Sequence, residues 1–155
     1  MKNRVMTQTL IKSGTEPNLT ADQEEHFFTY SLYPHAGTWR EAGTEQEALN
    51  LNVPAKAVAG AAEKDRMEFL SVDKRDVVLE TVKKAEDGDG VIVRLYEVEN
   101  ARTKVTLHCA EAIASAEETD LLENPIEGAL GVKENEIELT IKPYEIRTIR
   151  IRTAK

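Results

Sequence analysis

The alternation of apolar and polar residues is strongest in the second half of this chain. Residues 77–84 and 91–96 combine that alternation with many β-branched residues, which favour extended strands. Between them, residues 87–90 read Asp-Gly-Asp-Gly and supply the positive-φ positions that a tight reversal needs. Residues 77–96 are therefore predicted to form a β-hairpin.

Four further segments predict strands, at residues 69–72, 103–109, 136–142 and 144–152. Apolar side chains occupy every second position of residues 103–109, at Val105, Leu107 and Cys109. Pro143 separates the last two segments. Short strands with one apolar face each are typical of antiparallel sandwiches. The predicted fold class is mainly β, with antiparallel β-sandwiches and one short helix.

The first half of the chain is less regular. Residues 6–12 and 27–33 predict two strands, and the short helix is expected near residues 44–50. Thr44 and Glu47 have the spacing of a capping box, in which two side chains satisfy backbone N–H groups at a helix start. The alanine-rich residues 55–66 are compatible with either a helix or a linker.

Composition and charge exclude several classes of partner. The 155 residues are 41% hydrophobic and 31% charged, and the formal net charge is −8. This negative net charge disfavours binding to nucleic acids and to anionic membrane surfaces. No apolar run approaches the roughly 18 residues of a membrane span. Cys109 is the one cysteine, so the chain can form no internal disulfide, and we expect a cytoplasmic protein.

Ordered motifs along most of the chain carry a family resemblance. Residues 26–37 read HFFTYSLYPHAG and residues 142–149 read KPYEIRTI. Shorter matching pieces lie at residues 9–13, 21–23, 51–54, 77–83, 93–97 and 120–123. In this order and spacing, the chain resembles the C-terminal β-domains of bacterial α-mannosidases of glycoside hydrolase family 38.

The resemblance implies that the catalytic groups lie outside this chain. Family members are retaining α-mannosidases with a zinc-bound mannose, and retention needs two carboxyl groups about 5–5.5 Å apart. In the family, these groups and the zinc ligands belong to an upstream barrel and helical domain. We therefore expect no catalytic residue, metal ligand or cofactor in this chain, and the upstream catalytic domain as its partner.

The resemblance also implies a division into two domains. Residues 1–66 would be closing strands of the family's large β-sandwich, and residues 67–155 would be its small C-terminal sandwich. If strands of the large sandwich are missing, exposed sheet edges could pair with a second copy of the chain.

The resemblance further places Asp22, Gln23 and His26 near the rim of the sugar pocket, although Glu24 stands where family members carry Gly. A metal site that combines His26 and His35 with Asp22 and Glu25 is the alternative. Zinc needs three or four converging ligands, so histidines that form hydrogen bonds at strand ends are favoured.

Tyr33 and Trp39 are candidates for stacking on a pyranose ring. A large aromatic side chain beside a turn more often anchors that turn to the core, so core anchoring is favoured.

Three other features are predicted to be structural. Residues 87–90 lack the rest of a calcium-loop pattern, so a hairpin turn is favoured. Arg94 and Glu97 are expected to form a surface charge pair. Cys109 lies on an apolar face and is expected to be a buried, inert thiol.

The predicted function is that of a non-catalytic C-terminal portion of an α-mannosidase-like enzyme. It would brace the catalytic barrel, contribute to the rim of the sugar pocket and hydrolyse no α-mannoside by itself. Two alternatives are a carbohydrate-binding module that uses Trp39 and Tyr33, and a module that self-associates through open sheet edges.

Overall fold

The structure, a computed structural model, describes residues 5–61 and 64–154. The one helix of this described part is α1 (Thr44–Asn52), which confirms the predicted helix. Nine strands follow, and their bounds are β1 (Leu70–Val72), β2 (Val77–Lys84), β3 (Val91–Glu97), β4 (Thr103–Cys109), β5 (Ile113–Thr119), β6 (Pro125–Ala129), β7 (Val132–Lys133), β8 (Glu136–Ile141) and β9 (Ile146–Thr153).

The strands form two antiparallel sheets, as the alternating pattern predicts. One sheet has four strands in the order β1-β4-β8-β7, and the other has five in the order β2-β3-β9-β5-β6. Residues from both sheets form a single buried apolar cluster. The mainly β, sandwich-type fold is thereby confirmed.

The core lies between the inner faces of the central strands. Its fully buried apolar side chains come at every second position, and they are Val93, Leu95, Val105, Leu107, Ile137, Ile141, Ile149 and Ile151. Burying one such side chain contributes roughly 1.5–3 kcal/mol. Cys109 extends the same row on β4 and is buried, as predicted.

The predicted hairpin of residues 77–96 is confirmed as β2 and β3, with Lys84 paired to Val91. The turn contains Gly88 and Gly90, whose φ angles are 81° and 95°. L-amino acids with a Cβ rarely adopt this region, so both positions favour glycine.

Strands β5, β6 and β7 were not predicted, because their sequences break the period of two. A register irregularity between Ile113 and Ser115 interrupts the pairing of β5 with β9. Strand β6 begins at Pro125 and contains Gly128, two residues that weaken a strand signal.

The predicted strands at residues 6–12 and 27–33 are wrong for this structure, which assigns no strand between residues 6 and 61. A strand requires a neighbouring backbone to satisfy its N–H and C=O groups. Within the described residues these two segments have no such neighbour. Residues 55–61 contain no helix, and residues 62 and 63 of the alanine-rich stretch lie outside the described residues.

The predicted capping box at the start of α1 is also wrong. The N-cap position is Gly43, whose φ of 65° is left-handed, and no side chain caps the helix. The division of the chain near residue 66 into two domains stays a prediction. No helix in the described part of the chain is long and apolar enough to cross a membrane.

Candidate functional site

The segment of residues 5–61 carries most of the exposed large apolar side chains of the described chain. None of its residues is buried. Phe27 is 86% exposed and Leu32 is 72% exposed, and the neighbouring Phe28 and Tyr30 are exposed as well. These residues belong to the aromatic motif that carries the family resemblance. The motif therefore presents an apolar surface that the described chain does not cover.

The predicted rim residues Asp22, Gln23 and His26 are all exposed, at the end of a turn over residues 19–22 or just after it. The Nε2 atom of His26 is 2.9 Å from the backbone oxygen of Asp22. The side-chain amide of Gln23 donates a hydrogen bond of 3.0 Å to the backbone oxygen of Leu19. Asp22 is exposed and only its backbone oxygen contacts His26, so its carboxylate is accessible. Their role at a sugar pocket stays a prediction.

The two histidines of the metal hypothesis are held by separate local contacts. His26 stacks on Phe28 with ring centroids 6.3 Å apart, whereas His35 lies tilted against Tyr33 at 5.5 Å. In residues 5–61 and 64–154, no group of three or more His, Cys, Asp or Glu side chains could hold a metal ion. The predicted position of these histidines at strand ends is wrong, because the structure assigns no strand between residues 6 and 61.

The predicted anchoring of Trp39 to the core is wrong, since this side chain is 41% exposed and lies outside the buried cluster. The guanidinium carbon of Arg40 lies 4.8 Å from the centroid of the Trp39 ring, so a cation covers one face. Tyr33 is tied to the same turn, because its hydroxyl donates a hydrogen bond of 3.1 Å to the backbone oxygen of Ala42. Stacking of either ring on a sugar stays a prediction.

Glu41 fixes the turn that holds Trp39. Its carboxylate accepts hydrogen bonds from the backbone N–H of Thr38 at 2.7 Å and from the Thr38 hydroxyl at 2.9 Å. These two bonds, the backbone one first, lower the pKa of Glu41. A Cβ atom at Gly37 would lie 2.6 Å from the Glu41 Oε2 atom, so glycine allows this close approach.

A buried carboxylate on β3 was missed by the sequence reasoning. Glu97 is 1% exposed, and it accepts hydrogen bonds from the backbone N–H groups of Glu99 at 2.6 Å, Ala101 at 3.0 Å and Tyr144 at 2.9 Å. Burial by itself raises the pKa of Glu97, but the N–H donors, led by Tyr144, outweigh it and the net pKa is lowered. The sequence contained one sign of this burial, since Glu97 follows Val93 and Leu95 at alternate positions of β3 and therefore faces the core.

The predicted charge pair between Arg94 and Glu97 is wrong. Successive side chains of a strand point to opposite faces, so residues three apart on β3 do not share a face. Arg94 donates instead to the backbone oxygen of Leu121 at 2.9 Å.

Arginines neutralise the carboxylates of the Asp-Gly-Asp-Gly turn. Arg150, which is nearly buried, lies 2.5 Å from the Oδ2 atom of Asp87, and Arg152 lies 2.7 Å from that of Asp89. The hydrogen bond from Arg150 is the main cause that lowers the pKa of Asp87. These contacts agree with a hairpin turn rather than a calcium loop.

The sequence matches a known protein family and several known α-mannosidases. Residues 76–149 match the family described as "Glycosyl hydrolases family 38 C-terminal beta sandwich domain". The chain is 35% identical to mouse alpha-mannosidase 2C1 over 96% of its own length and 32% identical to the human protein of that name over 96%. It is 32% identical to alpha-mannosidase G of Dictyostelium discoideum over 91%.

The chain spans only a small part of these relatives, namely 15% of the mouse and human proteins and 14% of the Dictyostelium protein. The matched residues 76–149 include β2 to β8 and the first part of β9, which make up nearly all of the two sheets. Sequence match and architecture agree, and residues 76–149 therefore belong to the C-terminal β-sandwich domain of glycosyl hydrolase family 38.

Proposed function

We propose that this chain is a non-catalytic β-sandwich portion of an α-mannosidase and that it braces the catalytic part of the enzyme. The observation that carries the proposal is the exposed apolar surface of residues 27–33. Each Å² of apolar surface left in water costs roughly 25 cal/mol relative to burial. A contiguous exposed apolar patch marks an interaction site. A segment of this kind, which has no strand partner among the described residues, is suited to pair with a sheet edge of the remaining enzyme.

Hydrolysis is assigned to the catalytic part and not to this chain. In the family that the chain resembles, the two carboxyl groups and the zinc ligands belong to a preceding barrel and helical domain. We expect zinc to bind there and to contact the mannose. A cytoplasmic location likewise stays a prediction from the single cysteine and the acidic composition.

The turn with Asp22, Gln23 and His26 is proposed to contribute to the rim of the sugar pocket. Its support is the exposure of the three side chains, which lie within five residues of the exposed Phe27. A carboxylate, an amide and an imidazole can each bond a sugar hydroxyl. In an assembled enzyme, Gln23→Ala is expected to raise KM for an aryl α-mannoside and to leave kcat nearly unchanged.

The experiment is a chimera in which this chain replaces the matched 15% of mouse alpha-mannosidase 2C1. We expect the chimera to hydrolyse an aryl α-mannoside with zinc present, and the isolated chain to hydrolyse none. Phe27→Ser should speed thermal inactivation of the chimera but leave the Tm of the isolated chain unchanged. The matched control is Leu122→Ser, which alters a similarly exposed apolar side chain on the sandwich.

Besides an inactive chimera, three results would contradict the proposal. The first is hydrolysis by the isolated chain. The second is equal thermal inactivation of the chimera with and without Phe27→Ser. The third is saturable mannose binding by the isolated chain that Trp39→Ala weakens, which would favour a carbohydrate-binding module.

A further inference from the structure

We propose that the turn around Tyr144 is a second docking element, which binds an apolar surface in the part of the enzyme that this chain does not span. This inference rests on the proposed function and deepens it, because it assigns a contact surface to the sandwich itself.

The backbone at Tyr144 adopts a conformation that its side chain disfavours. Its φ angle is 55°, in the left-handed region. The N–H of Glu145 donates a hydrogen bond of 3.1 Å to the backbone oxygen of Lys142, so residues 142–145 form a turn with Pro143 as its second residue. The third position of such a turn usually holds glycine or asparagine, since a Cβ there is strained. Tyrosine is therefore a poor choice for the fold alone.

The strained residue is nevertheless held firmly. The N–H of Tyr144 donates a hydrogen bond of 2.9 Å to the buried carboxylate of Glu97. The backbone N–H of Lys142 donates to the Glu145 side chain at 2.7 Å, which closes the turn from its other end. The turn thus presents a preorganised aromatic side chain that is 61% exposed. Preorganised aromatic side chains are typical anchors of protein interfaces.

Neighbouring residues extend the ring of Tyr144 into an apolar patch. Ile146 is 58% exposed, and it pairs across the sheet with Tyr96 of β3. With Val98 they line an open cleft of about 490 Å³, and Glu45 of α1 lies at its border. The patch therefore extends to the helix that directly follows the exposed aromatic motif and its turn.

The charge and length of the chain decide between the two candidate occupants. A second copy is disfavoured, because two chains of formal charge −8 repel each other. The mouse relative continues well beyond the matched part, since this chain spans 15% of it. An apolar surface within that remaining length is the occupant to which we commit.

The test uses Tyr144→Gly both in the isolated chain and in the mouse chimera. Glycine relieves the strained φ and removes the ring, so only the chimera should lose stability. In the isolated chain, Tm should stay the same or rise by up to about 4 °C. In the chimera, the rate of thermal inactivation should rise by about tenfold, as expected for loss of an interface anchor.

Two further variants and one control accompany Tyr144→Gly. Tyr144→Phe keeps the ring and should keep the inactivation rate of the chimera. Ile146→Ser should raise that rate as well, because it removes an apolar side chain of the same patch. Leu122→Ser, on another exposed loop of the sandwich, should leave the rate unchanged.

Separate outcomes would overturn the two proposals. A clear drop in the Tm of the isolated chain on Tyr144→Gly would show that the ring stabilises this fold, which contradicts the premise of the inference. A dimer of the isolated chain that Tyr144→Gly dissociates, measured by sedimentation equilibrium, would make a second copy the occupant. If Phe27→Ser destabilises the chimera and Tyr144→Gly does not, only the present inference fails. If the wild-type chimera is inactive, the proposed function itself fails.

Discussion

At the scale of single residues, the carboxylate of Glu97 joins two turns that are far apart in sequence. It binds N–H groups in the turn after β3 and the N–H of Tyr144 in the turn before β9. Charged acceptors in low-dielectric surroundings form stronger hydrogen bonds than neutral ones. A buried glutamate of this kind therefore supports the fold instead of weakening it.

We predict that Glu97→Gln lowers the free energy of unfolding by about 2 kcal/mol. The side-chain NH₂ group of glutamine would replace one accepting oxygen, so a donor would face a backbone N–H donor and that hydrogen bond would be lost. Urea denaturation of the isolated chain measures this difference. The matched control is Glu138→Gln on β8, where the carboxylate is exposed beside Lys104 and little change is expected. Equal effects of the two variants would contradict the role given to Glu97.

The pH dependence of this effect has a defined sign. The folded state lowers the pKa of Glu97 from its ordinary value of 4.5. The carboxylate thus contributes its full stabilisation above pH 4.5, and this contribution is lost as the pH falls through the lowered pKa. The stability difference between the wild-type chain and Glu97→Gln should therefore shrink below pH 4.5. A constant difference down to pH 2 would refute this assignment.

At the scale of elements, the hairpin of β2 and β3 depends on two glycines with different surroundings. A Cβ at Gly90 would lie 2.6 Å from the backbone oxygen of Ile151 on β9, whereas a Cβ at Gly88 would be 3.6 Å from the flexible end of Lys84. Both residues have a positive φ, so alanine is strained at either position. Only at Gly90 does a backbone clash add to that strain.

Gly88→Ala is predicted to cost roughly 1–2 kcal/mol from the left-handed backbone alone. Gly90→Ala should cost at least about 1 kcal/mol more, because β9 must shift away from the turn. Thermal or urea unfolding of the two variants measures the gap directly. The two variants serve as controls for each other, and equal losses would show that the clash is absorbed elsewhere.

The elements that the sequence predicts well are those with an uninterrupted period of two. Val105, Leu107 and Cys109 define the inner face of β4, and the structure has the same face buried. β5 escapes prediction because its irregular register places Ile113 and Ala116, three residues apart, on the buried side. The predicted capping box at the start of α1 is wrong for a different reason, since the N-cap residue is Gly43 in a left-handed conformation and no side chain caps the helix.

At the scale of the whole molecule, burial divides the described chain into two unequal parts. All the buried residues lie between Val77 and Ile151, and none lies in residues 5–61. Regions with few buried contacts open at low free-energy cost. The sandwich is therefore expected to persist when the remainder of the chain is cleaved.

Limited trypsin digestion tests this expectation. Cleavage should occur first after the exposed lysines and arginines of residues 12–66, Arg40 and Arg66 among them, and a fragment that begins near residue 67 should resist. Arg150, whose side chain is buried in β9, should be cut only after unfolding. Mass spectrometry of the fragments identifies the sites. Early cleavage at Arg150, or resistance of the bond after Arg40, would contradict the division.

The candidate site was only partly predictable from the sequence. The motif of residues 26–37 indicated the family, but its strand-like alternation gave no sign that Phe27 and Leu32 would lack a covering partner. Alternation reports which side chains share a face, whereas a strand also needs a neighbouring backbone. The roles of Glu97 and Tyr144 depend on a hydrogen bond between residues 47 positions apart, which no local pattern contains.

The buried position of Cys109 has a practical consequence. Because it is the sole cysteine of the chain and lies on the inner face of β4, a thiol-reactive dye reaches it only when the sheets separate. The rate of dye incorporation thus reports opening of the native protein without any introduced probe. Comparison of that rate between the free chain and an assembled enzyme measures how much kinetic protection the surrounding polypeptide confers on the sandwich.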